Sequence, residues 1–465
     1  MKRNINKSFG WLLLLLSTAA GAQQRYDFSA QQTVDYARKN SAQVKNALLG
    51  IQLQEQQNRE ITASAYPQIN GNIATNYNPA VAVQQFPNFI AAATYGVLEK
   101  EGVQGSSGPI KSPDNFGYIQ AQFGTKFNAS LGASLQQLLF QGEVFVGLQA
   151  RATSMEFARK TAEVTEENIR ASIYKIYYQL AASKAQLQLI DANIERITKL
   201  ESDAKAMYEN GFAEKIDINR ASVQLANLQT ERIKAVNAIQ NGFVGLKTLM
   251  GMPAQDTLVL TDSVTYDMIK DGMLENLNYK YEDRKEYQLA QLGTKLREYN
   301  VKRYKMTYIP TVALSANYNR LSQSNKFGFF SGSQWFPASA IGVNVSIPIF
   351  DGFARDSRIK QAKIALQQSQ NDLEGLQRNI DQEAETALNN YKSALATLDA
   401  QKQNIQLAET VFNQARLKRE QRLGTTLEIT TAQADLQVAQ SNFILAMYDA
   451  IKAKVDYFKA IGRLK

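Results

Sequence analysis

Cysteine and histidine are both missing from this 465-residue chain. Their absence excludes disulfides, thiolate nucleophiles, imidazole bases and the commonest zinc ligands. The usual hydrolase and metalloenzyme constellations go with them, and no other acid–base or metal set takes their place, so neither an enzyme nor a cofactor is expected. Long apolar runs are short too. Past the first two dozen residues no stretch reaches about 18, the minimum for a membrane-spanning helix. Proline is scarce and unevenly spread. The nine prolines stand at 67, 79, 87, 109, 113, 253, 310, 337 and 348. One proline costs about 3 kcal/mol inside a helix. The gaps 114–252, 254–309 and 349–465 are therefore where long helices can lie.

What is present begins with "MKRNINKSFGWLLLLLSTAAGAQQ". Lys2, Arg3 and Lys7 precede the apolar run Trp11–Leu16, and Ala20-Gly21-Ala22 follows. That is the layout of a secretory signal, 1–22, with an N-terminal core helix as the alternative. No cysteine follows the cleavage site to carry a lipid. The formal charge is +9, of which the signal holds three, leaving a mild +6 that does not point to nucleic acid. With 44% hydrophobic and 20% charged residues, the composition is that of an ordered chain.

The proline gaps and apolar periodicity predict helices at 29–65, 143–209, 213–250, 282–307, 353–420 and 426–460. The proline-flanked segments alternate instead. Val312, Leu314, Ala316 and Tyr318 oppose Thr311, Ser315, Asn317 and Asn319. Ile341, Val343, Val345 and Ile347 oppose Gly342, Asn344 and Ser346. Phe123 to Ala133 and Ile69 to Tyr77 behave alike. Period two with one oily and one wet side means strands. Four strands separated by long helices make a poor soluble sandwich, the plainer alternative.

The pattern occurs twice. The seam Ile173, Leu180, Leu187, Ile194 returns 211 residues on as Ala384, Tyr391, Leu398, Ile405, and Asp217, Leu225 and Gly251 return as Glu428, Leu436 and Gly462. Each half is a strand pair, a long helix, a tight turn and a shorter helix. Two parallel seams on one helix mean neighbours on both sides, although a single seam also fits an ordinary bundle. In lipid every strand edge must be paired, so four strands need partner chains. Two chains supply eight strands, a filled interior; three supply twelve, enough for a channel.

These residues resemble the TolC-like outer-membrane efflux protein family. The carriers are "IPIFDG" (347–352), "LLFQG" (138–142), "YPQI" (66–69), "YIPTV" (308–312), "GFAEKIDINRASVQL" from Gly211 and "LGTTLEITTAQADL" from Leu423. The resemblance implies an α+β membrane protein with internal duplication, assembled as a homotrimer. It implies a twelve-stranded β-barrel, four strands per protomer, continued by a long antiparallel α-helical coiled-coil barrel across the periplasm. It implies the exit duct of a tripartite efflux or type I secretion system in the outer membrane of a Gram-negative bacterium. Its partners would be a periplasmic adaptor (membrane-fusion) protein, an inner-membrane pump and outer-membrane lipid. A soluble periplasmic coiled-coil adaptor is the competing reading.

On this reading the chain parses into a signal (1–22), an N-terminal helical segment (23–66) and a first strand pair with an extracellular loop (67–140). A helical hairpin (141–250), an inter-repeat linker (251–281), a helix (282–307), a second strand pair with its loop (308–350) and a second hairpin (351–465) follow. The resemblance assigns adaptor docking to the helix turns Asn210, Gly211, Phe212, Ala213 and Arg422, Leu423, Gly424, Thr425. Arg422 stands where the family usually has glycine, with Gly424 two residues on. Glu428 matches the first acidic position of the tunnel constriction, Thr431 replaces the second, and Asp217 is the first-half counterpart of Glu428. For both acids a solvated helix-start residue is the alternative. Pro348, Phe350 and Gly352, with Phe140 and Gly142, mark the barrel-to-helix junctions.

Overall fold

The computed structural model describes residues 24–270, 279–329, 334–421 and 423–464. The expected signal, part of the linker, part of the second strand loop and Arg422 lie outside them. The described residues fall into two compact units.

The first unit takes in Met1–Gln56, Ala150–Glu298 and Ala362–Lys465. A short strand β1 (Arg25–Phe28) leads into α1 (Ala30–Asn40), whose Ser29 cap accepts from Gln32 N at 3.2 Å while Gln32 Oε1 accepts from Ser29 N at 2.9 Å. The single helix expected over 29–65 is in fact two. Ser41 leaves helical geometry at φ −57°, ψ 130°, and α2 (Ala42–Ala63) starts anew. The break is where Gly251 packs: a Cβ there would stand 3.2 Å from Ser41 Cα.

The second unit takes in Gln57–Gln149 and Tyr299–Gln361. Its main sheet has the order β10-β9-β7-β2. The strands are β2 (Gln68–Tyr77), β7 (Phe127–Phe140), β9 (Thr311–Ser324) and β10 (Phe336–Ser346), all antiparallel to their neighbours. Register places Ile73 beside Leu131, Ala133 beside Tyr318, and Leu314 beside Val343, so one oily face runs across all four strands. The other face is amide and hydroxyl: Asn70 pairs Ser134, which pairs Asn317, while Asn76 pairs Asn128, which pairs Gln323. Ile73 is 78% and Ile341 81% exposed, so this oily face is largely bare within the protomer, covered only toward Ala129 and Ser322 among the described residues. The outer edges of β2 and β10 have no strand partner among the described residues.

The segment 79–113, part of the expected extracellular loop, carries structure of its own. It holds β3 (Val83–Pro87), α3 (Phe89–Lys100), β4 (Gln104–Gly105) and β5 (Gly108–Pro109), and β6 (Tyr118–Gln122) returns to pair with β3. Asn88 starts α3 by accepting from Ala91 N at 3.0 Å, a cap that the surrounding prolines obscure. For the same reason Phe123 and Thr125 are not part of a continuous strand. The chain turns at Gly124, and β7 begins at Phe127.

Two hairpins complete the chain. The first is α4 (Gly142–Glu209) and α5 (Lys215–Met250). The second is α8 (Ala354–Glu420) and α9 (Thr426–Ala460). Between them β8 (Thr257–Leu260) pairs parallel with β1, α6 (Tyr266–Lys270) packs on α9, and α7 (Lys285–Lys305) leads to β9. In the first unit, Ile173, Leu180, Leu246 and Met250 form one core, and Tyr391, Leu398, Ile451 and Val455 form another with Ile269 of α6. The described start of the expected linker, up to Lys270, is thus held against α8 and α9. Tyr391 Oη donates to Ile269 O at 3.0 Å, Lys454 Nζ to Met268 O at 2.9 Å, and Lys270 Nζ to Asp399 Oδ2 at 3.0 Å. The Tyr266 hydroxyl, and then Lys270, hold the Asp399 carboxyl below its ordinary range. No helix among the described residues is long and apolar enough to cross a membrane.

Candidate functional site

The first turn is built by a helix-ending motif. Helix α4 stops at Glu209; Phe212 N donates to Met207 O at 2.8 Å and Gly211 N to Tyr208 O at 2.9 Å. This crossed pair needs a left-handed residue between, and Gly211 has φ +79°. Asn210 donates twice to Ala206 O, from its amide at 3.2 Å and from its side-chain Nδ2 at 2.7 Å. The second turn shares the longer bond: Leu423 N donates to Lys418 O at 2.8 Å. Arg422, between them in the chain, lies outside the described residues. Gly424 is not left-handed, and a Cβ there would sit 3.1 Å from Lys418 Cβ.

Both turns meet around one cleft of about 750 Å³, lined by Met207, Asn210, Phe212 and Ala213 from one hairpin and by Arg419, Gly424, Thr425 and Leu427 from the other. Arg419 ties the two together. Its Nη2 donates to the Met207 sulfur at 3.3 Å and its Nη1 to Thr426 Oγ1. Phe212 and Leu423 remain 70% and 77% exposed, two apolar side chains presented to solvent at this end.

The two acids differ. Asp217 is occupied by its own helix: its Oδ2 accepts from Glu214 N at 3.3 Å, the helix-start role of a capping residue. At the start of α9, Thr425 Oγ1 caps the Glu428 amide at 3.2 Å. The Glu428 side chain stays exposed, and no cation pairs with it among the described residues. Thr431 is exposed on the same face, one turn further along α9.

Residues 282–463 match the outer membrane efflux protein family. The TolC outer membrane protein of Vibrio cholerae is 21% identical over 344 residues, covering 72% of this chain and 77% of that one. The chain is thus similar to TolC-like outer-membrane efflux proteins. The efflux protein BepC of Brucella suis is 23% identical over 466 residues, which cover 97% of this chain and 89% of BepC. In fold, the CusC structure superposes with a TM-score of 0.72 at 15% identity, covering 99% of this chain and 95% of CusC.

The expected junction residues do not act alike. At the second junction, Gly352 has φ +66° and open space around it; Phe353 follows at φ +65°, its ring 5.5 Å from that of Phe350. Asp351 then starts α8, accepting from Arg355 N at 2.9 Å. Pro348 lies in the irregular stretch after β10. At the first junction Phe140 ends β7 beyond a register shift at Leu138, with its ring 5.4 Å from Phe145. Gly142 is needed there for space rather than for φ, since a Cβ would stand 2.7 Å from Met306 Cβ.

Two features escaped the sequence reading. One is Arg419, an unremarkable cation in a basic helix end. The other is a polar layer inside the helices: Gln433 Nε2 donates to Asn193 Oδ1 at 3.0 Å, and Asn193 Nδ2 to Gln440 Oε1 at 3.2 Å, with all three residues buried. A signal existed. Gln433 and Gln440 stand seven apart beside the apolar seam Ile429, Leu436.

Proposed function

We propose that this protein is the outer-membrane exit duct of a tripartite efflux or type I secretion system, passing cargo from an inner-membrane pump to the exterior. One observation carries the reading. A four-stranded sheet with a largely bare oily face, an amide-lined opposite face and two free edges is unsuited to water and suited to a closed barrel in lipid. Three protomers would close twelve strands around an open lumen. The 68 residues of α4, about 100 Å at 1.5 Å per residue, suit a periplasmic tunnel wall built from two hairpins per protomer. In that assembly the chain is a passive conduit.

The turns at Asn210–Ala213 and around Leu423–Thr425 would form the end that meets the helical hairpins of a periplasmic adaptor. Exposed Phe212 and Leu423 and the adjoining cleft support this use. Glu428 would repeat three times around the tunnel mouth, with Thr431 behind it; Asp217, bonded at its own helix start, would contribute little. The test is native mass spectrometry and cross-linking of the mature protein extracted from outer membranes. A heat-dissociable trimer is expected, together with loss of export when the gene is deleted. A stable folded monomer in the membrane would overturn the duct and favour the soluble adaptor.

A further inference from the structure

Arg320 is the single charged residue in the four strands β2, β7, β9 and β10. Register fixes its side: it pairs with Leu131 on β7 and Pro337 on β10, and Leu131 pairs with Ile73. It therefore shares the oily face, not the amide face. Its position along β9 is as telling. On that face the strand runs Val312, Leu314, Ala316, Tyr318, Arg320, Ser322, Ser324. Apolar residues give way to polar ones at Tyr318 and Arg320, toward the end of the strand that leads into the 325–335 connection. Arg320 Nε donates to Tyr318 Oη at 3.5 Å, and no carboxylate pairs with it among the described residues. Two more cations mark the same end. Lys126 and Lys326 flank the point where Phe127 pairs with Ser324, and both are exposed.

A guanidinium on a lipid-facing strand is costly near mid-membrane and tolerable at the interface. There it is useful when a planar anion with two oxygens meets it. We propose that Arg320, seated on Tyr318 at the rim of the apolar band, binds a phosphate of an outer-leaflet glycolipid headgroup, with Lys126 and Lys326 adding to the attraction. The tyrosine belongs at the headgroup level in its own right. The proposal rests on the barrel reading above, which puts this face in lipid and the connection between β9 and β10 outside the cell.

The assembled, full-length protein is placed in nanodiscs containing either bis-phosphorylated lipid A or the same glycolipid with its phosphates removed, and thermal dissociation is followed. The native protein is expected to dissociate a few degrees higher with the phosphorylated lipid and to retain it in native mass spectrometry. Arg320→Gln is expected to lose most of that increment, and Arg320→Lys to keep part of it. An undiminished increment in Arg320→Gln overturns the proposal. So does an increment reproduced by millimolar inorganic phosphate in uncharged lipid, which would mean an anion site and not a lipid site. If Arg320→Gln does not assemble, the native protein decides: equal stability with and without lipid phosphates overturns the site. Failure of the barrel reading itself would look different, because a Val343→Cys variant would then react with water-soluble thiol reagents.

Discussion

Gly251 and Gly462 close their helices in the same way. Gly251 has φ +70° and Gly462 φ +72°. Each sits inside the same crossed pair of amide bonds: Met252 N to Lys247 O at 2.9 Å and Gly251 N to Thr248 O at 3.1 Å, against Arg463 N to Phe458 O at 2.8 Å and Gly462 N to Lys459 O at 3.0 Å. Each is also met by another backbone. A Cβ on Gly251 would lie 2.4 Å from Asn40 O, and one on Gly462 would lie 2.5 Å from Asp283 O. Two glycines 211 residues apart thus meet one requirement twice, which supports the reading of the chain as two repeats.

Gly251→Ala and Gly462→Ala are each expected to destabilise strongly. A side chain in the left-handed region costs roughly 1–2 kcal/mol, and the carbonyl contact adds to it because backbone cannot swing aside. Gly375→Ala, inside α8 with nothing near its Cβ, is expected to change sign and stabilise by about 0.5–1 kcal/mol. Thermal melts of the three variants in detergent check the contrast; equal melts for all three would contradict it.

The buried amide layer makes a second prediction. Asn193→Leu removes a partner from both Gln433 and Gln440, leaving buried polar atoms unpaired at about 1–3 kcal/mol. Replacing all three residues with leucine is expected to recover much of the loss, because no polar atom is then stranded. A triple variant less stable than Asn193→Leu alone would show that shape, not hydrogen bonding, governs this layer.

Much of the architecture is legible in the chain because its signals are local. Proline-free stretches with a steady seam mark α4, α8 and α9 to within a residue or two, and alternation marks both faces of β9 and β10. What escapes is what depends on partners far away. β1 is four residues long, and Arg25 pairs with Thr257, 232 positions on; neither strand has a pattern of its own. The break at Ser41 lies where the backbone of Gly251, 210 residues on, packs against Asn40 and Ser41. The turn residues Gly211 and Gly424 are readable as turn formers, but nothing near Arg419 announces that it will reach Met207 across the cleft.

The two faces of the sheet are expected to respond oppositely to charge. Val343 lies on the oily face, paired with Leu314, and Asn344 on the wet one, where its Nδ2 donates to Ser315 Oγ at 2.9 Å. Val343→Arg is expected to cost roughly 2–4 kcal/mol and to lower the yield of assembled protein in the outer membrane. Asn344→Arg is expected to assemble nearly normally. The natural absence of cysteine allows a direct check, since Asn344→Cys is expected to react with water-soluble thiol reagents and Val343→Cys to be shielded. Reaction at both positions would remove the sheet from lipid.

The turns are expected to separate docking from folding. Gly211→Asp forces a side chain into φ +79° at a site with open space around it, so the damage is confined to the turn. Export and cross-linking to the adaptor are expected to fall sharply while the trimer persists. Arg419→Ala cuts the bond to Met207 of the other hairpin as well as the one to Thr426 of its own, and is expected to loosen the two turns from each other, raising protease sensitivity there. Wild-type cross-linking and export in Gly211→Asp would move docking elsewhere.

Glu428 makes the sharpest test of the tunnel mouth. Its amide is already capped by Thr425, and its carboxylate is exposed and unpaired among the described residues, so the side chain has no evident structural duty. Three copies around a three-fold axis would draw cations to the mouth. Single-channel recording in planar bilayers is expected to show cation preference and block by polyvalent cations added from the periplasmic side. Glu428→Ala is expected to weaken both with little change in trimer stability, and Thr431→Asp, which restores the second acid on the same face, to deepen the block. Asp217→Ala serves as the contrast: its carboxylate holds Glu214 N, so the expected loss is about 0.5–2 kcal/mol of helix-start stability and not of selectivity. If Glu428→Ala conducts as the native protein does, in selectivity and in block alike, then the carboxylate faces away from the lumen and serves only the start of its helix.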